Sequence, residues 1–162
     1  MMRQFFTIMS IAAVLVFSGG LVFGANNSAQ FGSSVEIVGA CSIAVDDISF
    51  GTVVNKQEAT AESEIRVDCT SGMPYSIGIS NGANSLASRR MINSANNTRL
   101  NYELHHNSTH DNSWGDNNTM GTRHNGTGTG AVAAIPYYGK IPAGQNQAAG
   151  TFNDTLTATI NF

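Results

Sequence analysis

Residues 151–162, TFNDTLTATINF, decide the fold. Phe152, Leu156, Ala158, Ile160 and Phe162 fall on one face, with Asp154 the exception. Thr151, Asn153, Thr155, Thr157, Thr159 and Asn161 fall on the other. Side chains of a strand alternate between two faces, so period two is the strand period. Such regularity predicts one buried face, because a slip of one residue would turn every apolar side chain to water.

The same pattern recurs upstream in shorter pieces. Ala131 to Ile141 (AVAAIPYYGKI) is apolar, with Pro136 pointing to an edge or a bulge. Leu100, Tyr102 and Leu104 alternate, as do Tyr75, Ile77 and Ile79, and Ile65, Val67 and Cys69. Ile48 to Val53 (ISFGTV) and Ile43 to Val45 read as further short strands. Phe31, Ser33, Val35 and Ile37 alternate against Gly32, Ser34 and Glu36. Turn residues separate these pieces, and none has a sustained helical period, which is the pattern of a β-sandwich or barrel. His105 to Gly130 is polar and reads as loops, with a short strand near Trp114.

The N-terminus reads differently. Arg3 is followed by the apolar run Ile8 to Phe17 (IMSIAAVLVF), then by Ser18, Gly19 and Gly20. This is the order of a secretory signal peptide, and cleavage is expected at about Gly24, with Val22 and Gly24 at the small-residue positions. The run is shorter than the roughly 20 apolar residues of a membrane span, and no second run follows, so the mature chain is not expected to be membrane-embedded.

Removing 1–24 leaves 138 of the 162 residues, enough for one domain with a real core. Arg3 leaves with the leader, so the basic count falls from 8 to 7 against 11 acidic residues, a net charge of −4. No basic patch survives, which argues against nucleic acid as a partner. Cys41 and Cys69 are the two cysteines, and in an exported chain such a pair predicts a disulfide.

Few groupings suggest chemistry. His105, His106, His110, Asp111 and His124 could feed a metal, since imidazole suits zinc, copper and nickel. On a strand, however, His105 and His106 would face opposite ways, and no HExxH-type helical frame is present, so no metal site is expected. No serine sits in a GxSxG turn. Asp46 and Asp47 are adjacent and would face apart. Residues 121–130 (GTRHNGTGTG) lack the order of a phosphate loop. The N-x-S/T triplets at Asn107, Asn125 and Asn153 follow from an Asn- and Thr-rich composition. No catalytic residue and no cofactor is expected, and the chain does not read as an enzyme.

Five stretches in order carry a family resemblance: FGSSVEIVGACSI, ISFGTV, IRVDCTSGMPYSIGIS, RLNYELHHNSTHDNSWGD and IPYYGKIPAGQNQAAGTFNDTLTATINF. Together they resemble the spore coat protein U domain family, which includes subunits of archaic (Csu-type) chaperone–usher pili. The resemblance covers essentially the whole mature chain. It implies an immunoglobulin-like β-sandwich lacking one strand, finished by a donor strand from another chain.

On that basis 1–24 is the leader, 25–39 the donor-strand segment and 40–162 the sandwich domain. Phe31, Ser33, Val35 and Ile37 would form the inserted face, with Ser33 a departure where an apolar residue is expected. Phe152, Leu156, Ala158, Ile160 and Phe162 would form the strand that a chaperone faces. The implied partners are sister subunits in a homopolymer or mixed fibre, a periplasmic chaperone and an outer-membrane usher. The implied destination, after periplasmic transit, is a cell-surface pilus concerned with adhesion and biofilm. The alternative is a self-complete secreted coat or matrix protein of the same domain family.

Overall fold

The computed structural model describes residues 27–85, 87–117 and 120–162. The leader expected at 1–24 lies outside the described residues. The chain divides into two units, Met1–Glu36 and Ile37–Phe162. In the first, residues 27–36 form no strand and are exposed, Phe31 at 94% and Val35 at 86%. The alternation from Phe31 to Ile37 therefore does not make a strand of the folded chain.

The second unit holds eight strands, and every regular element among the described residues is a strand. They are β1 (Cys41–Val45), β2 (Ala59–Cys69), β3 (Pro74–Ile79), β4 (Arg89–Asn93), β5 (Thr98–His105), β6 (His124–Thr127), β7 (Ala133–Ile141) and β8 (Ala158–Asn161). One sheet runs in the order β1-β2-β7-β5-β4 and the other β6-β3-β8, with all neighbours antiparallel. The two sheets form an all-β sandwich.

Period two builds the core from both sheets. β2 contributes Ile65, Val67 and Cys69, β5 Tyr102 and Leu104, and β7 Tyr137 and Ile141. β3 answers with Tyr75, Ile77 and Ile79, and Trp114 is wholly buried beside them. Each fully buried large aliphatic side chain contributes roughly 1.5–3 kcal/mol.

Cys41 and Cys69 stand directly opposite one another in the β1–β2 ladder and form a disulfide, with Cα atoms 4.1 Å apart and a sequence separation of 28. The bond fastens an edge strand to the sheet. Serine at both positions is expected to lower the unfolding free energy by about 3–4 kcal/mol. Urea denaturation checks this, and an unchanged midpoint would contradict it.

Four expectations need correction. Ile48 to Val53 is not a strand, because Gly51 turns the backbone into the left-handed region at φ 62°. Its side chains still cover the core. Phe50 packs edge-on to Tyr102 at 6.3 Å, and a Cβ on Gly139 would lie 2.6 Å from the Phe50 ring. The region His105 to Gly130 is not only loop, since β6 pairs with β3 within it. Near Trp114 there are two isolated bridges, His105 to Ser113 and Trp114 to Thr122, rather than a strand. Pro136 lies in an inner strand, but β5 pairs with β7 only at residues 138–140, so Pro136 faces no β5 partner.

Candidate functional site

The C-terminal segment and β1 define the most unusual surface of the second unit. Each is the edge of its sheet: among the described residues β1 pairs only with β2, and β8 only with β3. The two strands approach each other without exchanging ladder hydrogen bonds.

One edge of the C-terminal segment is bonded along its length. Asn153 exchanges two backbone hydrogen bonds with Ile92, at 2.8 and 3.0 Å. The Thr155 carbonyl accepts from the Ala83 N–H at 3.0 Å, and the Thr157 carbonyl from the Ser80 N–H at 2.9 Å. Residues 158–161 then pair with β3. Backbone groups of alternate residues point to opposite sides in such a ladder. The N–H and C=O of Leu156, Ala158 and Ile160 are therefore turned to the side without a strand.

Burial follows the same division. The regular alternation predicts a fully buried face, yet Phe152, Leu156, Ala158 and Ile160 are only half-buried, and Phe162 is 60% exposed. On β1, Cys41 and Ile43 are half-buried and Val45 is 44% exposed. One strand inward, Ile77 and Ile79 of β3 are 0% and 3% exposed. The physical reason is that, among the described residues, the smaller sheet has no strand beyond β8 to cover that row. Beside Phe152 the surface deepens into a cavity of about 670 Å³, lined by Ile48, Phe50, Val53, Met91 and Leu100 among others.

Polar groups fix the platform under this edge. Asp154, the exception in the apolar row, accepts hydrogen bonds from Tyr102 Oη at 2.9 Å and from Asn84 Nδ2 at 3.0 Å. Burial, reinforced by the bond to Asp154, holds the Tyr102 phenol protonated well above its ordinary range. Arg89 is 2% exposed and donates to three carbonyls: Nη1 to Trp114 at 2.7 Å, Nη2 to Ile79 at 2.9 Å and Nε to Ser80 at 3.0 Å. Burial pushes its guanidinium pKa down. Trp114 Nε1 in turn donates to the Ile77 carbonyl at 3.1 Å. Arg89 and Trp114 thus bond carbonyls of β3, the strand along which β8 pairs. The sequence signal for Arg89 was absent, because an arginine in a polar stretch reads as solvated.

The histidines separate into two groups. His106 stacks on Trp114 at 4.3 Å, with His124 at 6.1 Å from His106. Burial lowers the pKa of both His106 and His124. His105 instead meets His110 edge-on at 5.2 Å. Adjacent residues of a strand face apart, and His105 and His106 do so here. Among the described residues no group of three or more His, Cys, Asp or Glu side chains converges as a metal site.

Comparisons with known proteins match this architecture. The Spore Coat Protein U domain model matches residues 27–159. Protein U of Myxococcus xanthus is 33% identical over 175 aligned residues, covering 94% of this chain and 97% of that protein. A crystal structure of the CsuC–CsuE chaperone–tip adhesion subunit pre-assembly complex, from archaic chaperone–usher Csu pili of Acinetobacter baumannii, superposes with a TM-score of 0.59 at 23% identity. That match covers 78% of this chain and 40% of the other, and it shows a shared fold. The all-β sandwich, the Cys41–Cys69 disulfide and the matches to the family model and to Protein U agree: the chain belongs to the Spore Coat Protein U domain family.

Proposed function

We propose that the chain is a non-enzymatic structural subunit of a surface pilus, assembled by donor-strand exchange. The observation that carries this reading is the C-terminal segment, hydrogen-bonded along one edge and left half-buried on its apolar face. An edge with unpaired N–H and C=O groups beside an apolar row is a template for another strand. The chain itself carries a strand-like segment with no strand to join, Phe31 to Ile37, whose apolar side chains are exposed.

In this reading 1–24 is an export leader, 25–39 the segment lent to a neighbour and 40–162 the accepting domain. Phe31, Val35 and Ile37 of one subunit fill the gap between β1 and β8 of the next. Burying each contributes roughly 1.5–3 kcal/mol, offset in part by the cost of ordering the segment. Ser33 adds less than an apolar residue would. The contact is head-to-tail, so it generates a filament rather than a closed ring. Before assembly the same edge needs a temporary strand, which a periplasmic chaperone supplies before transfer to an outer-membrane usher. A solved structure of the same fold is a chaperone–subunit complex, which supports that class of partner.

A self-complete coat or matrix protein is the second reading. It is favoured by the near-complete overlap with Protein U and by the family's spore-coat description. A synthetic peptide of residues 26–39, added to the purified chain, separates the two. A one-to-one complex in native mass spectrometry, lost when the peptide carries Val35→Asp, is the expected result. Absence of any complex under conditions where the chain is folded would favour the coat reading.

A further inference from the structure

His105 ends β5 with 2% of its surface exposed, and its Nδ1 is buried without a hydrogen-bond partner. His110, in the following loop, likewise buries an unpartnered Nε2. The two rings meet at right angles with centres 5.2 Å apart. An imidazole nitrogen buried without a partner is costly, and here two lie on adjoining rings.

The protonation pattern is set by a neighbour. Nε2 of His105 lies 3.2 Å from the Glu103 carboxylate, which can only accept a hydrogen bond. Nε2 therefore carries the proton, and Nδ1 presents a bare lone pair. A carboxylate that fixes a histidine tautomer from behind is the usual support of a metal ligand. His110 has a left-handed backbone at φ 56°, uncommon outside glycine and often found at functional positions. The loop is tied by bonds from the His106 N–H to the Asn112 carbonyl at 2.9 Å and from the His110 N–H to the Asn107 carbonyl at 3.2 Å.

We propose that His105 and His110 form a two-histidine site for a borderline first-row cation such as zinc or copper, with Glu103 positioning His105. Two imidazoles on one tetrahedral ion, at metal–nitrogen distances of about 2.0–2.1 Å, bring their ring centres to roughly 5 Å apart. The 5.2 Å separation meets this condition. Imidazole suits zinc and copper, and water completes the coordination. A buried water, which needs two to four polar partners, is the competing occupant, and the titration below separates it from an ion. His106 and His124 take no part, being stacked around Trp114. The site is independent of the strand-lending reading.

The test is titration of the purified, tag-free chain with zinc and with copper(II) by calorimetry, and electron paramagnetic resonance of the copper form. One ion per chain and splitting from two nitrogens are expected. His110→Asn should weaken binding about 100-fold or more, and Glu103→Gln, at an exposed carboxylate, about 10–100-fold. His124→Asn should leave the affinity unchanged, and circular dichroism checks that each variant folds. No binding tighter than millimolar, a one-nitrogen signal, or equal losses in His110→Asn and His124→Asn would each overturn the proposal and leave a buried water only.

Discussion

Val35→Asp is expected to abolish fibre formation while leaving the subunit's own stability unchanged. Val35 is 86% exposed in the folded chain, so a carboxylate there loses no contact within the subunit. In a fibre the same side chain would enter an apolar gap. The roughly 1.5–3 kcal/mol gained from burying valine would be replaced by the several kcal/mol cost of desolvating an unpaired charge. Ile160→Asp places the charge on the accepting side, in the half-buried row of β8, and should block assembly equally. Ser33→Val should do the opposite and slow the dissociation of neighbouring subunits, since it adds an apolar side chain to the inserted face. Electron microscopy of surface fibres, with thermal melts of the released subunits, reads all three. Normal fibres from Val35→Asp would contradict donor-strand exchange through this segment.

The sequence made some of this legible and hid the rest for physical reasons. β2, β3, β5 and β7 announced themselves because their apolar residues alternate and are buried where the pattern requires. The disulfide followed from an exported chain with two cysteines, and the ladder places them face to face. β4, with the sequence RRMIN, was hidden because Arg89 is buried through hydrogen bonds to carbonyls that lie far off in sequence. β6 was hidden because HNGT carries no apolar alternation and pairs at the edge of its sheet.

ISFGTV showed period two, but Gly51 allows a backbone turn that alternation does not reveal. The two regular rows, 31–37 and 152–162, were both visible. What alternation cannot state is which partner covers each row, since it fixes a face and not a neighbour. The pairing of His105 with His110, rather than with His106, needed the turn between them.

The thermal melt of two purified versions of the chain tests the open groove most directly. One is the mature chain; the other carries a second copy of residues 26–39 after Phe162, joined by a short flexible linker. The linker makes strand addition intramolecular, so the added segment acts at an effective concentration in the millimolar range. It would cover Leu156, Ala158 and Ile160, pair their free backbone groups and shield Val45 and Phe162. For a domain of this size each kcal/mol raises the melting temperature by about 2–8 °C, so three newly buried apolar side chains predict a rise of tens of degrees. Such a rise would mean that the groove between β1 and β8 is open and takes a strand. Equal melting temperatures would mean that the sandwich already completes itself, contradicting the donor-strand mechanism and leaving the coat-protein reading.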